Sequence, residues 1–266
     1  MGFSIPADTE LALRLTVFLA VFAALALWEW AAPARAPRLS RALRWRANLG
    51  LAVLNTLVLR VVLPGSALAF AALAAEEGWG LLNRVELPAW LAVLTGVVIL
   101  DLVIYFQHVL FHSVPALARL HAVHHADPDF DLTTGIRFHP LEIVLSTLIK
   151  FAAIAALGAP VLAVFIFEVL LNATAMFNHA NVSLPAWLEP WVRRVLVTPD
   201  MHRTHHSVIE SERNSNYGFC LSVWDRWLGT YTPAPRGTLD IGLTGWRDPV
   251  AVATLAGVLR MPFRNP

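Results

Sequence analysis

Residues 90–112 read WLAVLTGVVILDLVIYFQHVLFH, an apolar run that ends on two histidines four residues apart. As a helix, residues 90–111 span about 33 Å at ~1.5 Å per residue, more than the ~30 Å of a bilayer's hydrocarbon core. Asp101 sits in the middle of the run, where an ionisable side chain is costly and by default points to function. A helix that crosses a membrane and delivers histidines to one surface is therefore the first expectation.

The rest of the chain agrees. Of 266 residues 57% are hydrophobic and 15% charged, the composition of a polytopic membrane protein. A net charge of +1 gives no reason to expect a nucleic-acid partner. The single cysteine, Cys220, excludes an internal disulfide and any cysteine-ligated cluster. Nineteen of the twenty basic residues are arginine, a bias that suits a GC-rich bacterial genome. The N-terminal MGFSIPADTE carries no basic n-region and does not read as a cleaved signal peptide.

Further apolar runs cover residues 11–30 and residues 48–75, the latter broken near Pro64 and Gly65. Between them lies a linker with Arg35, Arg38, Arg41, Arg44 and Arg46, which belongs in the cytoplasm by the positive-inside rule. The loop with Glu76, Glu77 and Glu86 falls on the opposite side, so the run at 90–111 returns its histidines to the cytoplasm. Residues 141–177 are too long for one crossing and carry Gly158, Ala159 and Pro160 near the middle, which predicts a helical hairpin. Lys150 in its first arm either snorkels or marks an arm that is only partly inserted. The expected fold is all-α: a polytopic membrane helical bundle of about three spanning helices plus a helical hairpin, with a cytosolic histidine-rich helical cap. Trp187, Trp191, Trp224 and Trp227 are placed at the membrane edge of the cap. One integral-membrane domain covers 1–266: membrane helices in 1–100, a histidine-box core in 101–231 and a C-terminal tail in 232–266.

The ten histidines all fall between 108 and 206. LHAVHH (120–125) and MHRTHH (201–206) share the spacing His-x-x-His-His. On a helix His121 shares a face with His124 or His125, while the adjacent ring points about 100° away, so one box can feed two metal ions. With His108 and His112 the boxes supply eight imidazoles, too many for one ion. Imidazole suits iron, zinc, copper and nickel alike, but this many nitrogens at a membrane surface point to a dinuclear redox centre, with iron the leading metal. Asp101, Tyr105, His108 and His112 line one helical stripe, and Glu168, Asn172 and His179 line another. Asp101 and Glu168 are expected to support the imidazoles from behind or to face the substrate with Asn172; the plainer alternative is that they pair with arginine or cap a helix. His179 is a candidate ninth ligand. His139, before Pro140, is a ligand, a supporting group or an anchor.

These segments resemble the fatty acid hydroxylase/sterol desaturase superfamily of integral-membrane enzymes. The resemblance rests on DLVIYFQHVLFH (101–112), LHAVHH (120–125), RFHPLE (137–142), FNHANVSLP (177–185), TPDMHRTHH (198–206) and NYGFCLSVWDRWLGTY (216–231). It covers about half of the chain. It implies a di-iron centre held by His108, His112, His121, His124, His125, His202, His205 and His206. Val109 stands where relatives often carry arginine. In the last segment Gly218 is expected to take a positive φ, Asp225 and Arg226 to tie the cap to the helices, and the whole to be architectural.

The resulting expectation is a membrane-bound non-haem di-iron oxidoreductase that hydroxylates or desaturates an apolar lipid entering from the bilayer. It would use O2 and external electrons from a separate reductase, ferredoxin or cytochrome, or from a pterin, since no haem-attachment, dinucleotide or iron–sulfur motif is present. A purified or recombinant form can carry zinc instead. Two other readings are a carotenoid hydroxylase and a non-enzymatic membrane metal-binding or transport protein. The expected location is the bacterial inner membrane, with the histidine cluster on the cytoplasmic side.

Overall fold

In the computed structural model, which describes residues 7–265, each long apolar run becomes helix. The segment MGFSIP, part of the N-terminus discussed above, lies outside the described residues. The helices are α1 (Ala7–Ala31), α2 (Arg41–Val62), α3 (Ala67–Glu76), α4 (Ala89–Ser113), α5 (Pro115–His125), α6 (Pro140–Leu157) and α7 (Val161–Asn178). Five spans, with α2 and α3 counted as one, are long and apolar enough to cross a membrane. Among the described residues β structure is limited to isolated bridges such as that of Leu196 with Leu221. The protein is an all-α integral membrane protein.

Breaks occur where backbone chemistry requires them. Proline cannot continue α2, so the helix stops before Pro64, and Ser66 restarts the chain by accepting a hydrogen bond from Ala69 N through its Oγ. The hairpin turns at Gly158, which takes φ +67° after α6. A Cβ there would lie 2.6 Å from Trp79 O, and one on Gly80 (φ +84°) would lie 2.0 Å from Gly158 N. The loop after α3 and the hairpin turn thus meet backbone to backbone, which only glycine permits.

Within the bundle α1 packs on α7, α2 and α3 pack on α6, and α4 contacts both hairpin arms. Lys150, the cation of the first hairpin arm, has a partner within the bundle. Its Nζ pairs with Glu168 across the hairpin, and Glu168 also holds Arg14 Nη2 at 2.5 Å.

The opposite end of the bundle carries a cap of short helices: α8 (Glu189–Val192), α9 (Pro199–His205), α10 (Glu210–Arg213), α11 (Val223–Trp227), α12 (Pro249–Ala253) and α13 (Leu255–Arg260). Its C-terminal part is packed, with Val252, Ala253, Val258 and Met261 buried against Leu51 and Val123. A buried charged lock fastens the cap to the bundle. Arg44 Nε and Nη2 donate to Asp127 at 2.7 Å each and Nη1 to Asp131 at 2.5 Å. Arg137 donates to Val123 O, Asn48 Oδ1 and Val252 O, and Glu29 accepts from Leu132 N and Asn181 N. Burial alone would raise the Asp127 carboxyl, but the charge and hydrogen bonds of Arg44 outweigh it and hold the group below its ordinary value. The arginine linker touches the same end, through Arg38 N to Asp129 and Arg35 N to Asn181. Trp187, Trp191 and Trp227 are exposed on the cap, whereas Trp224 is buried. Its indole Nε1 donates to Asp101, so it belongs to the seam between cap and α4 and not to a membrane edge.

Candidate metal centre

α4 and α5 bring their histidines together at the cap end of the bundle, and α9 closes over them. Nine histidines fall into two groups. His108, His112, His121, His125 and His205 form one; His124, His179, His202 and His206 form the other, with ligand-capable nitrogens within 4.8 Å of one another in each. The helical geometry explains the partition. His121 and His125, one turn apart on α5, face the first group and His124 faces the second. In MHRTHH the division reverses, with His202 and His206 in the second group and His205 in the first.

In four of the five rings of the first group, all but His125, the outer nitrogen is already engaged. Nδ1 of His108 lies 2.8 Å from Tyr217 O, that of His205 2.6 Å from Ser215 O and that of His112 3.3 Å from Asn214 Oδ1. Nδ1 of His121 lies 2.6 Å from Glu142 Oε1. A ring whose Nδ1–H donates outward presents the lone pair of Nε2, and Nε2 of His108, His112, His121 and His205 is buried without a partner. In the second group His179 Nδ1 donates to Ala175 O, while its Nε2 lies 3.1 Å from His124 Nε2 and 3.0 Å from His202 Nε2. Two nitrogens each ~2.0–2.1 Å from one ion sit about 2.9–3.4 Å apart. Unpartnered buried nitrogens otherwise cost ~1–3 kcal/mol each, so both groups fit a metal ion.

The electrostatics agree. Burial, and then repulsion from neighbouring rings, keeps His124, His125, His202, His205 and His206 well below the ordinary imidazole value. Burial pushes His179 down to about 3. Neutral rings are the form that binds metal.

Other expected residues are placed differently. Asp101 supports no imidazole: its carboxylate accepts from Cys220 N, Leu221 N and Trp224 Nε1. The stripe it begins is the seam to which the 214–230 loop is fastened, continued by Tyr105 Oη with Thr230 Oγ1 at 2.8 Å. Glu168 is engaged by Lys150 and Arg14, and Asn172 donates to Glu168 O. His139 is an anchor. Its Nδ1 accepts from Leu141 N at the start of α6, and its Nε2 donates to Leu259 O at 3.3 Å. In the 216–231 segment positive φ falls on Asn216 (φ 54°) and Gly229 (φ 76°), and not on Gly218. Gly218 is needed for space, because a Cβ there would lie 2.7 Å from Asp225 Oδ2. Asp225 accepts from Tyr217 N and Gly218 N, and so carries the carbonyl that holds His108. Burial raises its carboxyl to about 6.

Sequence reasoning missed Glu142 as the partner of His121, though it lies within RFHPLE. It also missed Asn214 and the carbonyls of Ser215 and Tyr217; backbone acceptors leave no sequence signal.

An apolar cavity of about 630 Å³ opens onto the first group. His108, His121 and Glu142 line its inner end, and Leu15, Phe18, Val53, Ile104, Phe111 and Ile143 are among the apolar side chains along it.

A family model described as fatty acid hydroxylase matches residues 93–230. The chain is 34% identical over 160 residues to the ornithine lipid hydroxylase OlsE of Rhizobium tropici, covering 59% of this chain and 47% of that protein. It is 30% identical over 175 residues to the alkylglycerol monooxygenase of Xenopus tropicalis, covering 62% and 36%. With the cholesterol 25-hydroxylase of Mus musculus it shares 29% over 147 residues, covering 54% and 47%. The chain therefore spans about half or less of the length of these relatives. No solved structure matches it.

Proposed function

The chain belongs to the fatty acid hydroxylase family, and from that premise we propose that it is a membrane-bound di-iron monooxygenase that hydroxylates a lipid. The observation that carries the reading is the apolar cavity ending on His108 and His121, the inner edge of a nine-histidine cluster. His108, His112, His121, His125 and His205 would hold one ion; His124, His179, His202 and His206 would hold the other. Two bound iron ions would supply O2 activation and oxidation of an unactivated C–H bond.

The protein's own residues do the rest. Phe111, Ile104 and Ile143 exclude water from the inner end and hold a methylene chain there. Glu142 and the carbonyls of Tyr217 and Ser215 fix ring orientation, and Arg44 with Asp127 and Asp131 keeps α5 and its following loop in place. α1 rests on α7 and α2 on α6, leaving the cavity between them accessible from the bilayer. The relatives are named as hydroxylases and monooxygenases, which supports oxygen insertion over desaturation. Electrons come from a separate reductase, ferredoxin or cytochrome, or from a pterin. The cap lies on the cytoplasmic face of a bacterial inner membrane, on the side of the arginine linker.

Purified protein reconstituted with iron(II) is expected to hold two irons per chain. Supplied with a chemical reductant and 18O2, it should place label in a lipid alcohol. One zinc per chain with no O2-dependent product would defeat the reading.

A further inference from the structure

The cavity that ends on the histidines continues at its other end. It shares Thr56 and Leu59 with a second cavity of about 480 Å³, and Leu15, Phe18 and Asn172 with a third of about 190 Å³. Arg14, Arg60, Lys150 and Glu168 line the second, and Arg14 and Glu168 recur in the third. An apolar corridor between membrane helices thus leads to a group of three cations.

Those cations exceed their counter-charges. Glu168 pairs with Lys150 and Arg14, and Glu10 lies 3.2 Å from Arg14 Nε. Among the described residues no carboxylate stands within ion-pair distance of Arg60. Three cations against two carboxylates leave one positive charge, that of the exposed Arg60, at the mouth of this cavity. The backbone is also irregular there. Residues 63–66, between α2 and α3, line the same cavity. Non-helical backbone at membrane depth is tolerated where it lines a cavity, and the start of α3 adds the positive end of a helix dipole.

The spacing matches a lipid chain. Glu142, which holds His121, and Lys150 are eight residues apart on α6, while Glu168 precedes His179 by eleven along α7. At ~1.5 Å per residue these separations are about 12–17 Å, close to half of a ~30 Å hydrocarbon core and so to one extended acyl chain.

We propose that the cavity lined by Arg14, Arg60 and Lys150 binds the anionic group, carboxylate or phosphate, of the lipid whose chain runs down the corridor to His108 and His121. The inference rests on the lipid-oxidation reading and narrows its substrate class. An acidic end group completes the charge balance at Arg60 and sets which carbon reaches the histidines.

The test uses the full chain, loaded with iron(II), in phosphatidylcholine nanodiscs. Retention is measured for radiolabelled palmitate, phosphatidic acid and hexadecanol, whose chain is matched but whose end is neutral. At least one acid is expected to be held about tenfold or more over the alcohol, the scale of one charge-assisted hydrogen bond. Palmitate retained without phosphatidic acid identifies a free acid as the ligand; the converse identifies a phospholipid. Arg60→Met should reduce the preference to about twofold or less, and Arg60→Lys should keep most of it. Equal retention of alcohol and both acids by the wild type overturns the proposal without recourse to any variant. So does a preference unchanged in Arg60→Met and in the Arg60→Met/Lys150→Met double variant. Iron content and 18O incorporation are read on the same samples. Acid preference without oxidised product would defeat the oxidation reading and leave the binding site standing.

Discussion

His121 leans on a carboxylate: its Nδ1 lies 2.6 Å from Glu142 Oε1, and both side chains are buried. Nδ1 of His108, His112, His179 and His205 faces a carbonyl or amide oxygen instead. A carboxylate behind a ring makes it the stronger electron donor, so His121 is the anchor of its group. Glu142→Gln keeps the shape and a hydrogen bond but removes the charge. Iron affinity should fall about 10–100-fold, as measured by chelator competition, with the thermal melt of the metal-free protein little changed. Equal affinity would show that the charge is immaterial.

His179 and His139 offer a contrast between two buried histidines. His179→Ala removes the nitrogen on which His124 and His202 converge, and should lower iron content by about one ion per chain. His139→Ala should leave iron content intact and cost about 0.5–2 kcal/mol as a lost helix cap. Elemental analysis and thermal melts of the pair read both effects.

Arg44→Met should be among the most damaging substitutions outside the cluster. It strands Asp127 and Asp131 without their cation, and breaking one side of a buried pair costs about 3–5 kcal/mol. Asp127 follows His125 by two residues, so loss of iron should accompany the lower melting temperature. A variant with wild-type stability would show that the lock is dispensable.

Acid should unfold the metal-free protein. The cap histidines have depressed folded-state values, with His179 at about 3. As pH falls below ~6.5 the unfolded chain takes up protons that the folded chain refuses. Stability is therefore full above about 6.5 and is lost between there and about 3. The slope is up to about 1.4 kcal/mol per pH unit for each ring that stays neutral. Melts of chelator-treated protein at pH 7.5, 6 and 5 should show a falling transition, and a flat profile would contradict the depressed values.

Ala52 lines the apolar cavity from α2. Ala52→Trp should fill it, leaving iron content unchanged while product formation from long-chain lipids falls tenfold or more. Unchanged turnover would place the substrate route elsewhere.

Much of the fold was legible in local chemistry. Apolar runs of bilayer length, a proline that cannot continue a helix and a glycine-proline turn between two arms mark the helices and the hairpin. Helical periodicity likewise shows that each histidine box must point in two directions. Asp101 and Glu168 were harder to read, because a carboxylate in an apolar run signals that a partner is required without saying which. Their partners lie more than a hundred residues away in one case and across a hairpin in the other. The arginine linker also carries two meanings: it biases orientation, yet Arg35, Arg38 and Arg44 are tied to specific groups in the cap.

By itself the sequence determined which segments are apolar enough to enter the membrane and that the eight box histidines present imidazole nitrogen from helical faces, since both follow from hydropathy and from local helical spacing. The tertiary structure alone decided how those rings divide into two groups, that His139 bonds to Leu141 N and Leu259 O, and that the cavity at His121 shares Thr56 and Leu59 with the one at Arg60. Those are relations between helices, and they depend on packing and buried charge pairs whose partners are distant in the chain.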